Sequence, residues 1–224
     1  NIIDVALKNN VKKVLFTSSD KAVNPSSVMG TTKLMGEKLI IAANNYAGDK
    51  TRFSAVRFGN VLDSNGSVLK IFKKQIKENK PLTITHKNMT RYFINIEQAI
   101  DLCIFSMQEM IGGEIFFPKM KSFDIVSLSK VISDLNNPKI IFTKPSKGEK
   151  LFEELATEVE SLRTISLKSY YVIVPEINDE SPIFFKKINK KYKNLPKISE
   201  PLRSDKKLLP LKQIKTLLKK SKLI

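Results

Sequence analysis

The 224-residue chain is poor in the residues that most metal and thiol chemistry requires. Its one histidine, His86, excludes His-rich metal sites, and a Ser-His-Asp triad would have to pass through that single ring. His86 lies in "TITHKNMTR" with no acid or nucleophile beside it, and it is read as a loop residue. The one cysteine, Cys103, excludes a disulfide framework and points to a reducing compartment. Eight glycines are present, and none of them builds a G-x-G-x-x-G phosphate loop. No apolar run approaches the roughly 20 residues that cross a bilayer, and nothing resembles a signal peptide. Arginine is scarce as well: five arginines leave 34 lysines among the 39 basic residues. Nucleic-acid surfaces favour arginine for base edges and aromatics for stacking. The net charge of +17 is therefore read as solvated lysine faces, densest in "FFKKINKKYKNLPK" and "KKLLPLKQIKTLLKKSK". A polyanion-binding surface is the alternative.

What is present reads as a globular α/β chain, with 42% hydrophobic and 27% charged residues. "VKKVLFTSS" is a short β-branched and aromatic run, followed by helical spacing in "SVMGTTKLMGEKLIIAANNYA". "RFSAVRFGNVL" reads as a buried strand. "GSVLKIFKKQIKEN" reads as an amphipathic helix with Val68, Ile71, Phe72 and Ile76 on one face. "PLTIT" follows as a strand, then the helix "INIEQAIDLCIFSMQEM", which stops at Gly112-Gly113. "EIFFPK", "KIIFT" and "YYVIVP" are further strands, and "EKLFEELAT" a further helix. Alternating strands and helices predict a mostly parallel α/β sheet. The chain opens on Asn1 in what reads as the last turns of a helix, as the middle of a domain would.

The stretch "FTSSDKAVNPSSVMGTTK" sets an adjacent acid and base, Asp20 and Lys21, where a strand runs out. In open α/β sheets ligands lie beyond the carboxyl ends of strands. Met29 and Lys33, four residues apart, share one face of the next helix. By itself, a strand-end hydroxyl with a helical lysine is a weak signal of the short-chain dehydrogenase/reductase layout, whose helix carries YxxxK. Here "MGTTK" places methionine at the tyrosine position.

The longer string is more specific. "SSDKAVNPSSVMGTTKLMGEKL" resembles the nucleotide-sugar 4,6-dehydratases, of UDP-N-acetylglucosamine type, within that superfamily. The resemblance continues in "VRFGNVLDSNGSV", "PLTITHKNMTRYFINIEQAIDL", "GGEIFFPKM" and "KGEKLFEEL", covering about residues 1 to 175. Several members of that family carry methionine for tyrosine. Two departures are Ser19, where threonine is usual, and Asp63, where glycine is common.

The resemblance implies a set of roles. Asp20 would protonate the leaving C6 hydroxyl of the sugar, and Lys21 would remove the C5 proton. Asp20 would then begin protonated and Lys21 neutral, states that desolvation favours. Lys33 would hold the nicotinamide ribose, with Ser18 and Met29 beside the cofactor, and Ser19, Lys21 or water would accept the C4 hydroxyl proton. Asn60, Arg91, Glu149 and Lys150 would contact substrate, Arg91 at the diphosphate and the last two from the start of a helix. The implied cofactor is NAD or NADP, tightly bound and recycled, and the implied partner is a UDP-sugar. Nucleic acid is not expected. The full-length protein is expected to be a cytoplasmic homo-oligomer, or to sit on the cytoplasmic face of the inner membrane through a segment upstream of Asn1. The chain alone, without the N-terminal phosphate loop, is expected to be inactive.

The implied fold is the C-terminal part of a Rossmann-like doubly wound parallel sheet plus a small substrate-binding lobe. Residues 1–61 and 93–112 would belong to the first, 62–92 and 113–182 to the second, and 183–224 to a basic tail. Two other readings stay open: a nucleotide-sugar epimerase, which needs only redox at C4, and a non-catalytic sugar-nucleotide-binding protein.

Overall fold

A computed structural model describes residues 1–48, 50–135, 137–176 and 185–224, which divide into two compact units. The first comprises Asn1–Phe58, Gln98–Lys119 and Glu154–Leu202. The second comprises Gly59–Glu97, Met120–Glu153 and Arg203–Ile224.

The first unit is built on a five-stranded sheet. Strand β1 (Lys13–Ser19) runs parallel to β2 (Arg52–Phe58), in a register that sets Ser18 opposite Arg57. β2 runs parallel to the strand Ile115–Pro118, here β6. Beyond it Tyr170–Ile173 (β11) and Thr164–Ser166 (β10) complete the sheet as antiparallel neighbours. The fold class is thus the expected α/β, with an antiparallel margin.

Helix α1 (Ile2–Lys8) precedes β1, and α2 (Val28–Ala43) joins β1 to β2. Ser27 begins α2 by accepting a hydrogen bond from Gly30 N at 3.2 Å, which satisfies one of the helix's orphan donors. At the other end the Asn44 side chain accepts from Phe53 N at 3.1 Å and donates to Phe53 O at 2.8 Å, tying the helix to β2. Ala6, Ile40, Ala43 and Phe53 form one buried cluster. Helix α4 (Ile96–Glu109) ends as expected at the two glycines, which hold φ of 125° and 93°. The Glu114 carboxylate closes that turn, accepting from Ile111 N at 2.9 Å, Gly112 N at 2.7 Å and Ser54 Oγ at 3.0 Å.

The second unit holds two small sheets. Asn60–Val61 (β3), Thr90–Ile94 (β5) and Lys121–Asp124 (β7) form one, with β3 and β5 parallel and β5 and β7 antiparallel. Leu82–Ile84 (β4) runs parallel to Ile140–Phe142 (β8) in the other. Helices α3 (Val68–Lys77), α5 (Ile125–Ser133) and α8 (Leu211–Lys220) cover a core of Leu69, Phe72, Phe93, Phe123, Leu128, Ile214 and Leu218. Burying each such side chain contributes about 1.5–3 kcal/mol relative to exposure.

Four expectations are corrected here. The buried face of α3 is Leu69 and Phe72, whereas Ile71 is 43% exposed, because the helix turns its i, i+3 pair inward. "EKLFEELAT" is not a helix: it runs irregularly to a strand at Glu154–Ala156 (β9) and then a short helix α6 (Glu158–Ser161). Its backbone serves distant partners instead, with Leu151 O accepting from Thr90 N and Glu153 O from Ser204 N, both at 2.9 Å. Of the expected tail 183–224, residues 183 and 184 lie outside the described residues, and 185–224 do not form a separate tail. The helix α7 (Phe185–Tyr192) seats Ile188 and Tyr192 in the core of the first unit, and α8 seats Ile214 and Leu218 in that of the second. The unit boundaries shift accordingly: β6 and residues from Glu154 to Leu202 join the sheet-bearing unit rather than the lobe, because β6 pairs with β2.

Candidate active site

At the carboxyl end of β1 the chain turns through a single 3-10 turn, Asp20–Ala22. Ser19 begins that turn, its Oγ accepting from Lys21 N at 3.3 Å and donating to Asp20 Oδ1 at 2.8 Å. Lys21 Nζ lies 3.0 Å from the same Oδ1. Asp20 is fully buried, and the Lys21 side chain is 33% exposed. The acid and base of the sequence motif therefore touch, in a site closed to solvent on the acid's side. Two buried polar atoms there, Ser18 Oγ and Asp20 Oδ2, have no hydrogen-bond partner among the described residues. Such groups are rare in folded chains and mark a place for a polar ligand.

Helix α2 comes unusually close to this turn. A Cβ at Gly30 would stand 2.4 Å from the Lys21 carbonyl oxygen, so only glycine admits the approach. Lys33 Nζ donates to Thr17 O at 3.0 Å and lies 5.2 Å from the centroid of the Phe16 ring. Met29, on the same helix face one turn earlier, is 48% exposed. Ser18, Ser19, Asp20, Lys21 and Lys33 thus converge on one strand end, with Met29 one turn along the helix.

Beneath them sits a charged node that the sequence reading missed. Arg57, 1% exposed, donates from Nε and Nη2 to Glu37 Oε1 and Oε2 at 2.9 and 2.7 Å. Nη2 and Nη1 donate to Glu160 Oε1 and Oε2 at 2.7 and 2.9 Å, and Nη1 also reaches Leu155 O at 2.9 Å. All five N–H groups are engaged. Burial opposes the charge on Arg57, and the two carboxylates outweigh it and hold the guanidinium protonated. Glu37 lies four residues after Lys33, so the node fixes the helix that carries Lys33. The signal was an arginine between Val56 and Phe58 in a strand that reads as buried, "SAVRF".

In the second unit Asn60 lies half-buried on β3, opposite Phe93 of β5. Arg91, on β5, is 6% exposed. Its Nη1 donates to Thr90 O at 2.7 Å and Leu151 O at 3.3 Å. Glu149 Oε1 stands 3.4 Å from Nη2, and Glu153 Oε1 stands 3.7 Å from Nε. Glu149 and Lys150 do not open a helix, which removes the dipole argument for them. His86 accepts from Asn88 N at 3.1 Å within its own loop, as a turn residue does.

Residues 1–175 match the model of a family described as polysaccharide biosynthesis protein. The chain belongs to that family. A UDP-N-acetylglucosamine 4,6-dehydratase (inverting) of Campylobacter jejuni is 43% identical over 179 residues, covering 79% of this chain and 53% of the relative. An uncharacterized membrane protein of Methanocaldococcus jannaschii is 41% identical over 218 residues, 91% of this chain and 65% of the relative. The crystal structure of Pen from Bacillus thuringiensis superposes with a TM-score of 0.86 at 35% identity, over the whole chain and 66% of that protein. This polysaccharide biosynthesis family member thus spans between about half and two thirds of the length of these three relatives. Among its described residues, no helix is long and apolar enough to cross a membrane and no cluster of His, Cys, Asp or Glu could hold a metal ion.

Proposed function

We propose that the chain carries the acid–base machinery of a nucleotide-sugar 4,6-dehydratase. Its substrate is UDP-N-acetylglucosamine, and its product is a UDP-4-keto-6-deoxy hexosamine for capsule, O-antigen or glycoprotein sugars. The observation that carries this reading is the buried carboxylate of Asp20 in contact with its chain neighbour Lys21 at a strand end. An epimerase needs redox at C4 alone and has no use for such a pair.

The strand end suits a nicotinamide: Ser18 Oγ has no hydrogen-bond partner there among the described residues, and Lys33 is held beside it on the Thr17 carbonyl. When bound, NAD or NADP supplies the oxidation at C4 and the return of hydride to C6. Lys33 orients the ribose and adds positive charge next to the C4 oxygen. With a carbonyl at C4 the C5 proton is acidic, and Lys21 Nζ, as the neutral amine, takes it. Asp20, protonated on Oδ2, gives its proton to the C6 hydroxyl, which leaves as water. After that step Asp20 is one proton poorer and Lys21 one richer, and their 3.0 Å separation lets the two charges pair. Lys21 then returns its proton to C5 as hydride reaches C6. The proton of the C4 hydroxyl leaves to solvent during the oxidation, through Ser19, 2.8 Å from Asp20 Oδ1, or a water, and Asp20 regains a proton from solvent before the next turnover. Asn60 and Arg91 bind the substrate, Arg91 at the diphosphate.

The test is to incubate the full-length protein with UDP-N-acetylglucosamine and analyse the sugar. A 4-keto-6-deoxy product supports the reading. A C4 epimer, or a sugar recovered unchanged from a protein that binds it, overturns it.

A further inference from the structure

The chain buries two arginines, each between two carboxylates, and their geometries differ. Arg57 closes on Glu37 and Glu160 at 2.7–2.9 Å, the spacing of charge-assisted hydrogen bonds, and has no donor left over. Arg91 makes its shortest hydrogen bond through Nη1, which donates to two neutral carbonyls. Its Nε/Nη2 edge, the fork that suits a phosphate, faces Glu149 and Glu153 at 3.4 and 3.7 Å. The Nη2 contact is a hydrogen bond at its long limit and the Nε contact an ion pair at 3.7 Å, both looser than the 2.7–2.9 Å bonds of Arg57.

We propose that Glu149 is the resident anion of a diphosphate subsite, covering the Nε/Nη2 edge of Arg91 until a phosphate of the ligand replaces it. This rests on the reading above that Arg91 meets the diphosphate, and it reverses the role expected of Glu149, from substrate contact to competitor. Glu149 is suited to exchange. Its side chain is 26% exposed, against 3% for Glu153 behind it. It belongs to a turn in which Ser146 N donates to its Oε2 at 3.0 Å, and Thr85 Oγ1 donates to its Oε1 at 3.3 Å. Leaving Arg91 therefore does not strand the carboxylate. The ligand brings oxygens of higher charge to the same fork, so it wins the edge, and the displaced contact lowers its net affinity.

The experiment titrates uridine diphosphate and inorganic pyrophosphate into the full-length protein by calorimetry, with uridine as control. Glu149→Gln should bind both phosphates about fivefold tighter, as expected for removing one partly exposed competing charge, and uridine no differently. In an Arg91→Lys background the gain should vanish. Glu149→Ala, which removes the same charge, should shift affinity the same way, and it decides the matter if Glu149→Gln does not fold. Equal or weaker binding by these variants, or a gain that survives Arg91→Lys, overturns the proposal. Binding is read without turnover, so a protein that makes no keto sugar yet shows the Glu149 effect refutes the dehydratase reading alone.

Discussion

Replacing Arg57 by methionine tests whether the buried node holds the first unit together. The change keeps much of the volume and leaves Glu37 and Glu160, with side chains 1% and 11% exposed, facing each other without a cation. Removing one partner of a buried ion pair costs about 3–5 kcal/mol, a large part of the roughly 5–15 kcal/mol that holds most proteins folded. For a chain of this size each kcal/mol moves the melting temperature by about 2–4 °C, so a fall of about 6–20 °C is expected. The triple variant Arg57→Met, Glu37→Gln, Glu160→Gln should recover at least about half of that, since no buried charge remains. The pH dependence gives an independent reading. Burial pushes the Glu160 carboxyl up, but its hydrogen bonds and charge contact with Arg57 outweigh this and hold it below the usual carboxylate range. Its contribution is therefore present above an unfolded value of about 4.3 and fades as pH falls through the lower folded value. In Arg57→Met a carboxylate buried without its cation prefers a proton, so stability should rise on mild acidification where the wild type's does not. The assay is thermal and urea unfolding of the full-length protein from pH 4 to pH 8. A loss below about 1 kcal/mol with the wild-type pH slope would refute the reasoning, since no surface pair gives more.

Three further outcomes are expected. Asp20→Asn and Lys21→Met should each lower formation of the keto sugar by about 10²–10⁴-fold, with binding of uridine diphosphate retained in calorimetry. Gly30→Ala drives a methyl into the Lys21 carbonyl, 2.4 Å away, and should destabilise by about 1–3 kcal/mol in urea melts while moving the acid–base pair. Tyr192 buries a hydroxyl that has no hydrogen-bond partner among the described residues, so Tyr192→Phe should be neutral or stabilise by about 1 kcal/mol. A marked loss in that variant would show a partner for the hydroxyl.

The parts of the fold legible in the sequence were those decided locally. β1, α2 and β2 each carry their own pattern of apolar residues, and the glycine pair fixes the end of α4. The strand-end cluster was legible because the residues that meet there are close in sequence. "GEKLFEEL" misled because Leu151, Phe152 and Leu155 have helical spacing, while the carbonyls of Leu151, Glu153 and Leu155 are claimed by Thr90, Ser204 and Arg57. Those claims come from 50 or more residues away and leave no local trace. The C-terminal lysines hid a helix in the same way: the i, i+4 pair Ile214 and Leu218 reaches the core while the lysines around it stay outside. Glu37 and Glu160 could not be matched to Arg57 from sequence, because a strand and two helices must assemble before the three meet.

Because α2 is fastened one turn past Lys33, by Glu37, its placement owes nothing to whatever occupies position 29. That position is half open to solvent, so the side chain it carries can change while the anchor of the helix stays where it is.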